Sequence, residues 1–226
     1  MDSRLEKVLA LVIEDFIKTA EPVGSQALVT EHGLEVSPAT VRNWFAELEE
    51  EGMLVKLHTS AGRVPSERAY RWYVETQLGD PSVGKREQSL FERITRDVVE
   101  HDQRAKAAAK ACASATGVAA IVGTNSSDSY YTGLSELFGQ PEFREYSRVI
   151  HMGLVLDKID EQLTQLRRTV YSQPTILIGS NCPFGEACGS VIVTLPGNAL
   201  LALVGPMRMP YRETRNLLTA VVTAFN

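Results

Sequence analysis

Ten residues in two short runs carry donors and small side chains suited to a nucleic-acid surface. The first run is Ser37, Ala39, Thr40, Arg42 and Asn43, and the second is His58, Thr59, Ser60, Gly62 and Arg63. A guanidinium such as Arg42 forks onto guanine, and a carboxamide such as Asn43 pairs with adenine. Thr40 can meet a phosphate or a thymine methyl. Small residues in the second run let backbone N–H groups approach phosphate, while Arg63 can enter a minor groove or hold the backbone.

Such chemistry needs elements that aim it. Ser37 is a good helix cap and Pro38 fits the first helical position, where its missing N–H costs nothing. On a helix starting there, Val41, Phe45 and Leu48 fall inward, leaving Ala39, Thr40, Arg42 and Asn43 free at the end whose dipole favours phosphate. Taken alone, this helix also fits Arg42 and Asn43 as ordinary solvated residues. The next stretch adds weight. Gly52 stops the helix, Met53 to Leu57 has strand composition, and His58 to Gly62 is a polar tip before Arg63-Val64-Pro65. Upstream, Leu5, Val8, Leu9, Val12, Ile13, Phe16 and Ile17 mark one face of a helix that Pro22 and Gly24 end. Ser25 can cap a short helix from Gln26 to His32, buried through Ala27, Leu28 and Val29 and closed by Gly33. This spacing suits a helix-turn-helix with the Ser37 helix as its reader.

The formal charge of −5 does not advertise a nucleic-acid binder, but its distribution is local. Positions 36–46 hold no acid, and positions 52–74 carry Lys56, Arg63, Arg68 and Arg71 against Glu67 alone. A basic face can bind DNA while the remaining surface repels it. Hydrophobic content of 44% and charged content of 23% suit a globular chain. No apolar run reaches a membrane span, and Met1 to Glu6 lacks a secretory pattern, so a cytoplasmic setting is expected. Cys112, Cys182 and Cys188 form no ligand spacing and read as idle thiols of a reducing compartment.

Further on, Ser66 caps a helix from Glu67 to Gln77 with Trp72 and Tyr73 as packing residues, and 78–89 reads as a linker. A long helix is expected from Leu90 to about Thr116. Its alanine-rich half suits either a helix pair between subunits or packing on the chain's own sheet. Strands are expected at 118–122, 175–181, 190–194 and 200–204, and a last helix at 211–225. The fold class is α+β.

Several of these stretches together resemble the family of heat-inducible transcription repressors called HrcA. They are Thr19 to Ser25, Val36 to Asn43, Leu48 to Gly52, His58 to Pro65 and Tyr70 to Tyr73, then Tyr131 to Phe143 and Val204 to Tyr211. Trp44-Phe45 after Arg42-Asn43 departs from the family pattern. The resemblance implies a winged helix-turn-helix domain over 1–77, the linker at 78–89, and a reduced GAF-like domain over 90–226. It further implies a homodimer on an inverted-repeat operator of chaperone operons in double-stranded DNA, with chaperonin as a partner that keeps the repressor active. Most of the family's inserted dimerising region is absent, since only about a dozen residues occupy its place.

The alternative is a regulator whose GAF-like domain senses a small ligand. Catalysis is not expected: His32, His58, His101 and His151 are scattered, and no triad, P-loop or dinucleotide fingerprint appears. No cofactor and no metal is expected either.

Overall fold

Helix starts and stops follow the local chemistry closely. In this computed structural model, which describes residues 2–57, 62–124 and 129–226, Asp2 caps α1 (Ser3–Thr19) by accepting the Arg4 N–H at 3.0 Å. Leu5, Val8, Leu9, Val12 and Ile13 are buried, while Phe16 and Ile17 are only half-buried. Helix α2 (Ser25–His32) begins one residue earlier than expected, with Gly24 as its cap. Its buried face is narrower too: Leu28 is buried, Val29 half-buried and Ala27 exposed. Eight residues make barely two turns, so only one apolar position points squarely inward.

Ser37 and Pro38 open α3 (Pro38–Glu50) as expected, the Ser37 hydroxyl accepting the Thr40 N–H at 3.1 Å. Strands β1 (Leu54–Lys56) and β2 (Arg63–Pro65) pair antiparallel, with Val55 opposite Val64 and Lys56 opposite Arg63. Helix α4 (Glu67–Thr76) is capped by Ser66 and buries Ala69, Tyr70 and Tyr73, with Trp72 half-buried.

The described residues divide into two compact units, Met1–Gly79 and Asp80–Asn226. In the second unit the expected long helix is two: α5 (Lys85–Asp97) and α6 (His101–Thr116). Two adjacent β-branched residues, Val98 and Val99, sit at the break, where Val98 takes extended backbone angles. Helix α5 also begins five residues before Leu90, inside the stretch read as a linker.

Five antiparallel strands form the sheet, in the order β4 (Ser129–Thr132), β3 (Ala119–Gly123), β7 (Ala199–Pro206), β6 (Cys188–Leu195), β5 (Thr175–Ile178). The α+β class holds. Helices α5, α6 and α10 (Tyr211–Phe225) pack together, with α6 and α10 against the sheet. Ile121, Ile192, Leu200, Ala202 and Val204 instead join a core with Phe143, Met152, Val155, Ile159 and Leu163. Those last residues come from a 3-10 turn (Pro141–Arg144), α8 (Tyr146–Asp157) and α9 (Ile159–Leu166), which follow the short α7 (Leu134–Phe138). Covering both faces explains why all eight residues of β7 are buried.

The alanine-rich helix has a clear role here. Ala105, Ala108, Ala109, Cys112 and Ala113 are buried, and α6 packs on β3 and β7 of its own sheet. Small side chains let it lie close, so this face is core and not a surface for pairing subunits. Burial pushes the Cys112 and Cys188 thiols up to about 12, which keeps them protonated near neutrality.

Candidate nucleic-acid interface

The outer face of α3 begins with Ala39, Arg42 and Asn43, all exposed, at spacings of three and four. Thr40 is half-buried, and its hydroxyl lies 2.9 Å from that of Ser37, so these two form the cap that aims the first turn. The Arg42 Nε donates to the Ser25 hydroxyl at 3.4 Å, a long bond from an exposed side chain. Ser25 therefore props Arg42 from α2, a role its place in the sequence did not disclose. The same face continues into Ala46, Glu47 and Glu50, so an approaching phosphate is favoured only beside the first two turns.

The hairpin is anchored at its root. Val23 and Arg63 exchange both backbone hydrogen bonds at 2.9 Å, forming an antiparallel bridge between the turn before α2 and strand β2. Gly62 sits against that turn so tightly that a Cβ would lie 2.5 Å from the Val23 carbonyl carbon and oxygen. The Arg63 guanidinium is ion-paired with Glu49 of α3, and both side chains are largely buried. Glu49, which the sequence analysis did not single out, thus ties β2 to α3. Arg68 donates to the Glu51 carbonyl at 2.8 Å and Arg71 is paired with Glu67, whereas Lys56 is exposed on β1. His58, Thr59 and Ser60 lie outside the described residues. Of the ten residues, the structure gathers Ser37, Ala39, Thr40, Arg42 and Asn43 on one helix end. It assigns Gly62 and Arg63 to the hairpin root.

One group of potential metal ligands gathers among the described residues: Asp15, Glu31 and His32. His32 Nε2 lies 2.8 Å from Asp15 Oδ2, and this hydrogen bond joins α2 to α1. That contact accounts for Asp15 and His32, and Glu31 is an exposed residue beside them.

In the second unit, the two segments singled out there meet each other. Arg208 donates to both carboxylate oxygens of Glu142, from Nε and Nη2, and through Nη2 to the Gln140 Oε1 at 2.7 Å. Gln140 in turn donates to the Gly117 carbonyl at 3.2 Å. Tyr211 donates to the Met207 carbonyl at 2.6 Å, and Gly189 makes room for its ring, since a Cβ there would lie 2.3 Å from the Tyr211 hydroxyl. The pairing could not be read from motifs more than sixty residues apart.

The chain is similar to heat-inducible transcription repressors HrcA of Geobacter sulfurreducens, 51% identical over 100 residues, 44% of this chain and 28% of that protein. The counterpart of Carboxydothermus hydrogenoformans is 42% identical over 99 residues, 44% of this chain and 29% of that protein. That of Symbiobacterium thermophilum is 40% identical over 123 residues, 54% of this chain and 36% of that protein. The matched stretches therefore span well under two thirds of these relatives. A crystal structure at 2.2 Å resolution, titled only as a hypothetical protein, superposes with a TM-score of 0.73. It is 14% identical and covers 100% of this chain and 97% of the other, which shows a shared fold. No described helix is long and apolar enough to cross a membrane. The family described as HrcA protein C terminal domain matches residues 66–214, from the cap of α4 into α10. With well over half of its length matched, the chain belongs to the HrcA family.

Proposed function

We propose that this chain is a transcriptional repressor that reads double-stranded DNA. In this reading, residues 1–77 form a winged-helix domain and 90–226 belong to a reduced GAF-like domain, whose first helix reaches back to Lys85 and leaves 78–84 as the connecting stretch. Two copies bind an inverted-repeat operator ahead of chaperone genes in the cytoplasm, and chaperonin sustains the active form. The supporting observation is the first half of α3, where Ala39, Arg42 and Asn43 point outward at the positive helix end. Beside it, the hairpin is held by Val23, Gly62 and the Arg63–Glu49 pair. The relatives are named for repression, and nothing in those names favours a ligand sensor or an enzyme.

Substituting Arg42→Ala is expected to cost about 1–3 kcal/mol in binding an inverted-repeat operator and to relax preference at one base position. Fluorescence anisotropy on operator and random duplexes measures both effects. Equal losses on the two would assign Arg42 to phosphate alone.

Arg63 enters this reading at the hairpin root, where its pair with Glu49 holds the wing to α3. Arg63→Ala is expected to weaken operator and random binding alike, and to flatten the dependence of affinity on salt. Affinities measured across a salt series test this, and an unchanged slope would confine Arg63 to its contact with Glu49.

A further inference from the structure

A cavity of about 690 Å³ opens between α8 and the loop 182–188 that leads into β6. Phe143, Met152 and Val155 line it from the 3-10 turn and α8, and Cys182, Pro183 and Cys188 from the loop. Both thiols are buried, and a protonated thiol offers a small apolar surface. The loop is held in place by its own backbone. Gly185 donates its N–H to the Cys182 carbonyl at 3.2 Å, and Cys188 donates to the Gly185 carbonyl at 3.0 Å. Gly185 has a φ of +119°, and a Cβ there would stand 2.9 Å from the His151 Nε2. The missing side chain lets the loop close down on α8.

One polar group in this wall is unanswered. The Gln162 Oε1 of α9 is buried and has no hydrogen-bond partner among the described residues. Gln162 lines this cavity and also a smaller one of about 260 Å³ beside it. A buried acceptor without a donor is costly. The soft last torsion of a glutamine lets its amide turn toward what fills the space.

We propose that this cavity binds an uncharged, largely apolar small molecule that donates one N–H or O–H to Gln162. The volume lies within the roughly 300–1,000 Å³ of small-molecule sites, which likewise combine apolar walls with few polar groups. Charge selects against an anion. Arg148 donates from Nε to Glu145 at 2.8 Å, and Glu142 is held by Arg208. Beyond these pairs the lining offers His151 and the acid Glu186, both exposed. No surplus positive charge therefore stands ready for a carboxylate or phosphate. A cation would have to leave water for walls of carbon and sulfur. The site goes beyond the repressor reading and does not depend on it.

Titration of the full chain, without DNA, by N-phenylnaphthylamine tests the proposal. This probe is uncharged, carries one N–H between two apolar ring systems, and brightens on leaving water. Saturable binding of one probe per chain is expected, with a Kd on the order of 10 µM. Anilinonaphthalene sulfonate, the same frame with a negative charge, is expected to bind roughly ten-fold more weakly or worse (about 1.4 kcal/mol). Ala187 lines the cavity from an exposed position, so Ala187→Trp should obstruct it and cut the neutral probe's affinity by a similar factor with an unchanged circular-dichroism spectrum. Gln162→Leu should weaken the neutral probe about ten-fold while raising the unfolding temperature of the empty chain, because the unanswered acceptor is gone. A glutamine with a structural role alone would leave probe affinity unchanged. Absence of saturable binding, a charged probe that binds as tightly, or an affinity that either variant leaves unchanged overturns the proposal. With no DNA present, such a failure leaves the operator reading untouched.

Discussion

Replacing Arg208 by alanine is expected to destabilise the second unit by about 3–5 kcal/mol, the range for stripping one partner from a buried ion pair. The Arg208 side chain is 10% exposed and that of Glu142 is 18% exposed. Arg208 meets both Glu142 oxygens and also Gln140, so its removal leaves a carboxylate in a poorly hydrated place with its charge unanswered. The 3-10 turn after α7 and the segment before α10 would lose their common tie. Urea unfolding followed by circular dichroism measures the loss. Replacing Arg208 by methionine and Glu142 by leucine together should recover much of it, because the stranded charge is then gone. A single-variant loss below about 1 kcal/mol would place the pair among ordinary surface contacts.

Gly62→Ala is expected to damage stability and DNA binding together. Its Cβ would stand 2.5 Å from the Val23 carbonyl carbon and oxygen and 2.7 Å from the Pro22 carbonyl carbon. These are backbone atoms held by the paired Val23–Arg63 hydrogen bonds, so they cannot swing aside as a side-chain tip would. Forcing them apart costs about 2–3 kcal/mol, in the range of an overpacked core, and shifts the hairpin relative to α3. Thermal unfolding and operator titration on the same sample should both report the defect. That result separates Gly62 from Arg42, whose replacement should lower binding while leaving the unfolding midpoint unchanged. A folded Gly62→Ala chain with full affinity would mean that the hairpin root tolerates movement.

What could be read in advance was local. Ser37 and Pro38 announce a helix start because a hydroxyl cap and a fixed φ act within one turn. The apolar spacing of α1 and α3 and the strand runs of β6 and β7 are local in the same sense. Errors came where distant packing decides. Ala27 looked apolar enough to bury, but a two-turn helix turns only Leu28 squarely inward and leaves Ala27 exposed. The alanines of α6 fitted two partners equally well until the sheet of their own unit took them. The candidate site shows the same division. Arg42 and Asn43 were visible as donors on a capped helix, whereas the Ser25 prop, the Glu49 tie and the Gly62 approach each join segments at least fourteen residues apart. No spacing rule encodes such contacts.

Selection of duplexes from a random pool by the purified full chain tests the central claim most directly. The account predicts enrichment of an inverted repeat with two equal half-sites, and loss of that enrichment in Arg42→Ala with the fold retained. A pool that stays random after repeated rounds, at a salt concentration where the chain still holds DNA, would contradict sequence-specific reading by α3.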